Sequence, residues 1–206
     1  MAPDLPSRLI PTLALGLALA AGPVVSAVAA PAPPAAVPGA PVGSKTGLPL
    51  PRYASLKTDR VNLREGPSKD HRTLWVFQRA GLPVEIVAEF ETWRRIRDSE
   101  GTEGWVLHSL LSGRRTSIVT ATRAGGKGDG KGDNKGEAKA ETSLYARADD
   151  ASAEEARLQA GVIGSVKSCT GTWCRVVVAL PQKRGDVDGY VRQERLWGVY
   201  PYEKVE

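Results

Sequence analysis

The sequence predicts an all-β protein made of two small, highly curved barrels in tandem, following a secretory signal and a Pro/Ala-rich tether. Three observations carry that prediction. Val84, Ile86, Ala88 and Phe90 alternate with Glu85, Val87 and Glu89 in the stretch 81–90, mostly the period-2 pattern of a half-buried strand. Polar, Gly-containing turns such as Asp98 to Gly101 cut the chain into pieces of strand length. The stretch Gly81 to Gly113 then returns, altered, as Gly161 to Gly198. Ala80-Gly81-Leu82 to Trp93 lines up with Ala160-Gly161-Val162 to Trp173, and Gly104-Trp105-Val106 with Gly189-Tyr190-Val191. Leu111 and Gly113 match Leu196 and Gly198.

Residues 1–29 read as a signal peptide. Arg8 precedes an apolar run rich in Leu and Ala, and Ala27-Val28-Ala29 offers a small-x-small cleavage site. Pro11 and Pro23 interrupt the run, which disfavours a stable spanning helix. The expectation is a cleaved, exported protein with no membrane span, periplasmic in a Gram-negative cell, where disulfides persist. A net charge of +5 and a pI near 9.3 would otherwise bring nucleic acid forward as a partner. Export removes it, and an acidic peptide or polyanionic envelope surface suits the charge better. Residues 30–52 form the tether, whose composition cannot bury a core.

Barrel 1 is expected over 53–113, with strands at Tyr53 to Thr58 and Val61 to Arg64, a Gly66-Pro67-Ser68 turn, and the stretch His71 to Arg79 ahead of the repeated meander. Five or six short strands in about 60 residues fit a small barrel better than a sandwich. Barrel 2 is expected over 114–206. Thr116 to Ala121 matches Tyr53 to Thr58, and Ser143-Leu144 matches Asn62-Leu63, so the Gly/Lys/Asp-rich insertion 123–141 falls inside the first loop of barrel 2. That insertion lacks the Asp-x-Asp-x-Asp-Gly pattern of a calcium loop. Cys169 and Cys174 flank the turn before Trp173, and in an exported chain such a close pair is most simply a disulfide. Their spacing is not the Cys-x-x-Cys of redox motifs.

Leu63-Arg64-Glu65-Gly66-Pro67-Ser68, then Ala80 to Val87, a Trp at the next turn and a closing Gly-Trp-Val, resemble a bacterial SH3 (SH3b) domain. The arrangement is similar to exported two-copy SH3-like proteins of Gram-negative bacteria, and the resemblance covers about residues 53–206. It implies tandem SH3-like β-barrels acting as a binding module with variable ligands. Barrel 2 departs from the pattern at Leu144 to Asp149, where Gly-Pro is missing, so a ligand contact made by that turn does not carry over.

For a ligand site, Trp75, Trp93 and Trp105 are expected to flank a shallow groove, with Arg95 and Arg97 as a basic strip beside it. Trp173 and Tyr190 are their counterparts in barrel 2. The competing reading makes the tryptophans core or rim fillers and pairs the arginines with Glu85, Glu89 and Glu91 across the hairpin. No catalytic constellation is expected: His71 and His108 are the two histidines, neither stands in a metal-ligand spacing, and no Gly-rich phosphate loop follows a strand. No metal and no cofactor are therefore expected. The function expected is non-enzymatic binding of peptidoglycan or a cell-envelope protein. The alternative is an adaptor acting through the aromatic tail Leu196 to Tyr202, although such a tail usually packs down.

Overall fold

The computed structural model describes residues 41–120, 141–179 and 185–205. The expected signal peptide, the first half of the tether (30–40) and nearly all of the 123–141 insertion lie outside those residues. Pro34–Glu206 form one compact unit that holds both barrels.

In the first barrel, β1 (Arg52–Leu56), β2 (Val61–Arg64), β3 (Thr73–Phe77), β4 (Pro83–Phe90), β5 (Trp93–Arg97), β6 (Glu103–Leu107) and β7 (Leu111–Ser112) form one antiparallel sheet ordered β3-β2-β6-β5-β4-β1-β7. A 3-10 turn, His108–Leu110, joins β6 to β7. The second barrel contains β8 (Thr116–Val119), β9 (Glu141–Tyr145), β10 (Glu154–Gln159), β11 (Ile163–Thr170), β12 (Trp173–Ala179), β13 (Asp186–Arg192) and β14 (Leu196–Trp197). Their order is β10-β9-β13-β12-β11-β8-β14, the first order shifted by seven throughout, with β15 (Lys204–Val205) added beside β11. The repeat read from sequence is thus a repeat of topology, and the chain is two tandem SH3-like β-barrels.

Each barrel owns a core. Leu56, Val61, Leu63, Val84, Ile86, Ile96 and Val106 pack together in the first. Val119, Leu144, Leu158, Val166, Val176, Val191 and Leu196 do so in the second. The Gly-Trp-Val and Gly-Tyr-Val motifs follow from this packing. A Cβ on Gly104 would come within 2.6 Å of Leu63 Cγ and 2.8 Å of the Arg64 carbonyl, and one on Gly189 within 2.7 Å of Leu144 Cγ and 2.8 Å of the Tyr145 carbonyl. β6 and β13 therefore approach β2 and β9 too closely for a side chain. The hairpin turns after β4 and β11 each begin at positive φ, 47° at Glu91 and 99° at Gly171, as tight two-residue loops require.

The final residues of the expected tether are folded onto barrel 1. The Glu89 carboxylate accepts hydrogen bonds from Lys45 N (3.0 Å), Thr46 N (3.0 Å), Thr46 Oγ1 (2.7 Å) and Arg52 Nη2 (2.6 Å). Burial alone would raise the Glu89 pKa. These donors outweigh it and hold the group at about 2.

The aromatic tail packs down, as its composition leads one to expect. The Trp197 ring meets Tyr53 of barrel 1 edge-on at 5.1 Å, and Tyr200 lies 4.6 Å from the same ring. Tyr200 Oη donates to Glu85 Oε1 at 2.9 Å, while Arg97 Nε donates to Glu85 Oε2 at 2.9 Å. Both phenols sit well above the ordinary tyrosine range: burial contributes most, then the Glu85 charge for Tyr53 and the Glu85 hydrogen bond for Tyr200. Thr116 Oγ1 donates to the Gly81 carbonyl at 2.8 Å, and Arg79 Nη1 to the Gly161 carbonyl at 2.7 Å. Tyr202, 76% exposed, is the tail aromatic that stays outside this joint.

Candidate ligand groove

The structure separates the three tryptophans expected to share one groove. Trp75 lies on β3, 59% exposed, where it faces a surface depression with Phe77, Leu82 and the 98–102 turn. Trp93 is 7% exposed, too buried to offer its face to a stacked sugar, which corrects its expected role as a platform. Trp105, half-buried, pairs across the sheet with Arg95 and Arg64. The expected basic strip is largely neutralised. Arg97 is committed to Glu85, and Arg95 Nη2 sits 2.8 Å from Glu103 Oε2.

A different set of residues surrounds Trp93. Arg60, Asn62, Arg64, Lys69, Leu107 and Leu110 line a groove of about 290 Å³ with Trp93 in its wall. Register explains the convergence. Trp93 on β5 opposes Leu107 on β6. Asn62 and Arg64 lie two apart on β2 and share a face. Arg60 and Lys69 come from the loops on either side of β2. Arg64 is steered by a 2.7 Å hydrogen bond from Nη1 to the His71 carbonyl. All three charged residues of the groove are cations, and Arg60 and Lys69 are exposed.

Barrel 2 carries the same groove with other contents. Glu141, Ser143, Tyr145, Asp150, Arg192 and Arg195 stand where barrel 1 has Arg60, Asn62, Arg64, Lys69, Leu107 and Leu110. Here Arg192 lies over Trp173, its Cζ 4.2 Å from the ring centroid, and Tyr145 meets the same ring edge-on at 5.6 Å. Arg192 Nε donates to Asp150 Oδ1 at 3.1 Å, and Nη2 donates to Oδ2. Trp173 is 7% exposed, as Trp93 is, and lies beneath the protein's own ion pair. Tyr190, half-buried, pairs across the sheet with Arg175 and Tyr145, and Arg175 is held by Asp188.

As groove residues, the sequence reading missed Arg60, Asn62, Arg64, Lys69, Leu107 and Leu110. One signal was present: aligning the two copies puts cations at 60, 64 and 69 against Glu141, Tyr145 and Asp150. Cys169 and Cys174 oppose one another directly across β11 and β12 and are joined as a disulfide, as read from their spacing. Among the described residues, no group of His, Cys, Asp and Glu side chains is placed to hold a metal ion, and no helix is long and apolar enough to cross a membrane.

The fold is a pair of small SH3-like β-barrels in tandem. The chain belongs to the bacterial SH3 domain family, which it matches at residues 57–113 and 138–198, more than half its length. Domains of this family are typically binding modules, often for cell-wall material. No curated protein matches the chain. Among solved structures, it is similar to NlpC2 from Trichomonas vaginalis, at 14% identity and a TM-score of 0.29, over 76% of this chain and 50% of that one. NlpC1 from the same organism matches at 12% identity and a TM-score of 0.29, over 80% of this chain and 51% of that one. The chain spans about half the length of each.

Proposed function

We propose that this protein is an exported, non-enzymatic binding module of the cell envelope that recognises peptidoglycan or an envelope protein through the groove of barrel 1. The observation that carries this reading is the groove itself, lined beside the buried Trp93 by three cations and, among the described residues, by no acid. Its cations attract and orient an anionic group, while Trp93, Leu107 and Leu110 give an apolar surface for what lies beside it. The adaptor alternative is weaker, because Trp197 and Tyr200 are spent on the joint with Tyr53.

Co-sedimentation with isolated peptidoglycan, at low and at moderate salt, tests the reading. Retention at moderate salt that is lost in an Arg64→Ala variant supports a specific groove. Binding that vanishes with salt alone, and equally in the variant, means that the net charge of +5 was sufficient and removes the groove from the account.

A further inference from the structure

We infer that the barrel 1 groove is a carboxylate site for the free end of a short peptide with a small apolar residue beside it, and that barrel 2 carries the same site with its arginine already paired to its own aspartate. The inference rests on the reading of barrel 1 as the binding barrel. Its warrant is the internal comparison. In barrel 2, Asp150 occupies the position of Lys69, and its carboxylate is gripped by a guanidinium stacked on Trp173. The protein therefore displays what this groove does with a carboxylate: the anion lies near the tryptophan, held by an arginine.

In barrel 1, no carboxylate lines that groove among the described residues. Lys69 replaces the aspartate and Leu107 replaces the latching arginine, while Arg60 and Arg64 supply the charge from the β2 side. Lys69 and Arg60 form no ion pair among the described residues. Charge-assisted bonds from arginine to carboxylate are the strong kind, and Arg64 has donors left after its bond to His71. At about 290 Å³, the groove lies at the lower bound of ligand pockets, a size that suits a carboxylate and an adjoining side chain. Leu107 and Leu110 favour a small apolar side chain at that second position.

The test is an NMR titration of the full chain with acetyl-alanyl-alanine, and with the same dipeptide as its C-terminal amide. The acid is expected to move the amide signals of Asn62, Arg64 and Lys69 saturably, to bind at least tenfold tighter than the amide, and to leave residues 141–150 still. Lys69→Asp combined with Leu107→Arg transplants the barrel 2 latch and is expected to abolish the response. Should that pair fail to fold, Arg60→Gln and Lys69→Gln decide instead, each expected to weaken binding severalfold with an otherwise unchanged spectrum. Equal binding of acid and amide overturns the inference, and so does an equal response in barrel 2. Displacement by polygalacturonate at matched carboxylate concentration also overturns it, in favour of a polymer surface. Peptidoglycan retention without any response to the acid refutes the carboxylate site and leaves the proposed function standing. Loss of both removes both.

Discussion

Barrels 1 and 2 share one strand order and solve the same problem differently at the tip of their central hairpin. In barrel 1, Glu89 on β4 opposes Arg94 on β5, their charges 3.4 Å apart and both side chains buried. In barrel 2, the corresponding positions on β11 and β12 are Cys169 and Cys174, covalently joined. The flank beside each pair is covered by a different end of the chain. Residues 43–46 dock on Glu89, whereas β15 pairs with Cys169 and Thr170. A hairpin tip in so small a barrel needs a fastening, and an ion pair with enough donors serves where a disulfide is absent. The groove shows the complementary lesson: one backbone holds an open cationic site in one copy and a satisfied ion pair in the other.

The largest effect that would break this comparison comes from the buried carboxylate. Glu89→Ala strands the Arg94 and Arg52 charges and frees the 43–46 turn, and is expected to cost about 3 kcal/mol in urea unfolding. A loss below about 1 kcal/mol would show that the pair does not fasten the hairpin. Replacing both Cys169 and Cys174 by Ala should cost about 2 kcal/mol, because the closed loop is short and little chain entropy is removed. A larger loss would make the disulfide the stronger fastening of the two.

Acid sharpens the contrast. Glu89 is depressed from 4.5 to about 2, so its contribution is fully present above pH 4.5 and disappears as the pH falls toward 2. Barrel 1 signals should therefore weaken first in that window on acid titration followed by NMR, and Glu89→Gln should flatten the dependence. Tyr200→Phe removes the hydrogen bond that joins the tail to Glu85 and is expected to cost about 1 to 2 kcal/mol, with chemical-shift changes around Tyr53. Smallest of all, Arg95→Gln and Arg175→Gln break equivalent ion pairs on the outer faces of the two sheets, and should leave the Tm of both barrels unchanged.

Much of the fold was legible because it depends on local rules. Period-2 alternation in β4, the two-residue turn at Glu91, and the glycines that let β6 and β13 pass close to a neighbour are each written in a few adjacent residues. The Cys169–Cys174 bond was legible for the same reason, since five positions across a tight turn leave the thiols facing one another. The groove was harder to read. Its residues come from β2, the two loops around it, β5, β6 and the turn after β6, and only the sheet order β2-β6-β5 brings them together.

The sequence by itself determined the class and the duplication, because alternation and repeated turn chemistry survive without any knowledge of what packs on what. Tertiary structure alone decided which aromatic residues are available. Trp93 and Trp173 are buried by their neighbours, Trp75 is exposed on another face, and Trp197 and Tyr200 are taken up by Tyr53 of the other barrel. It also decided which cations are spent. Arg95 and Arg97 meet Glu103 and Glu85 through register, while Arg60, Arg64 and Lys69 converge on a groove that no acid among the described residues lines. A side chain's partner depends on pairing between distant segments, and that pairing is settled only when the barrel closes.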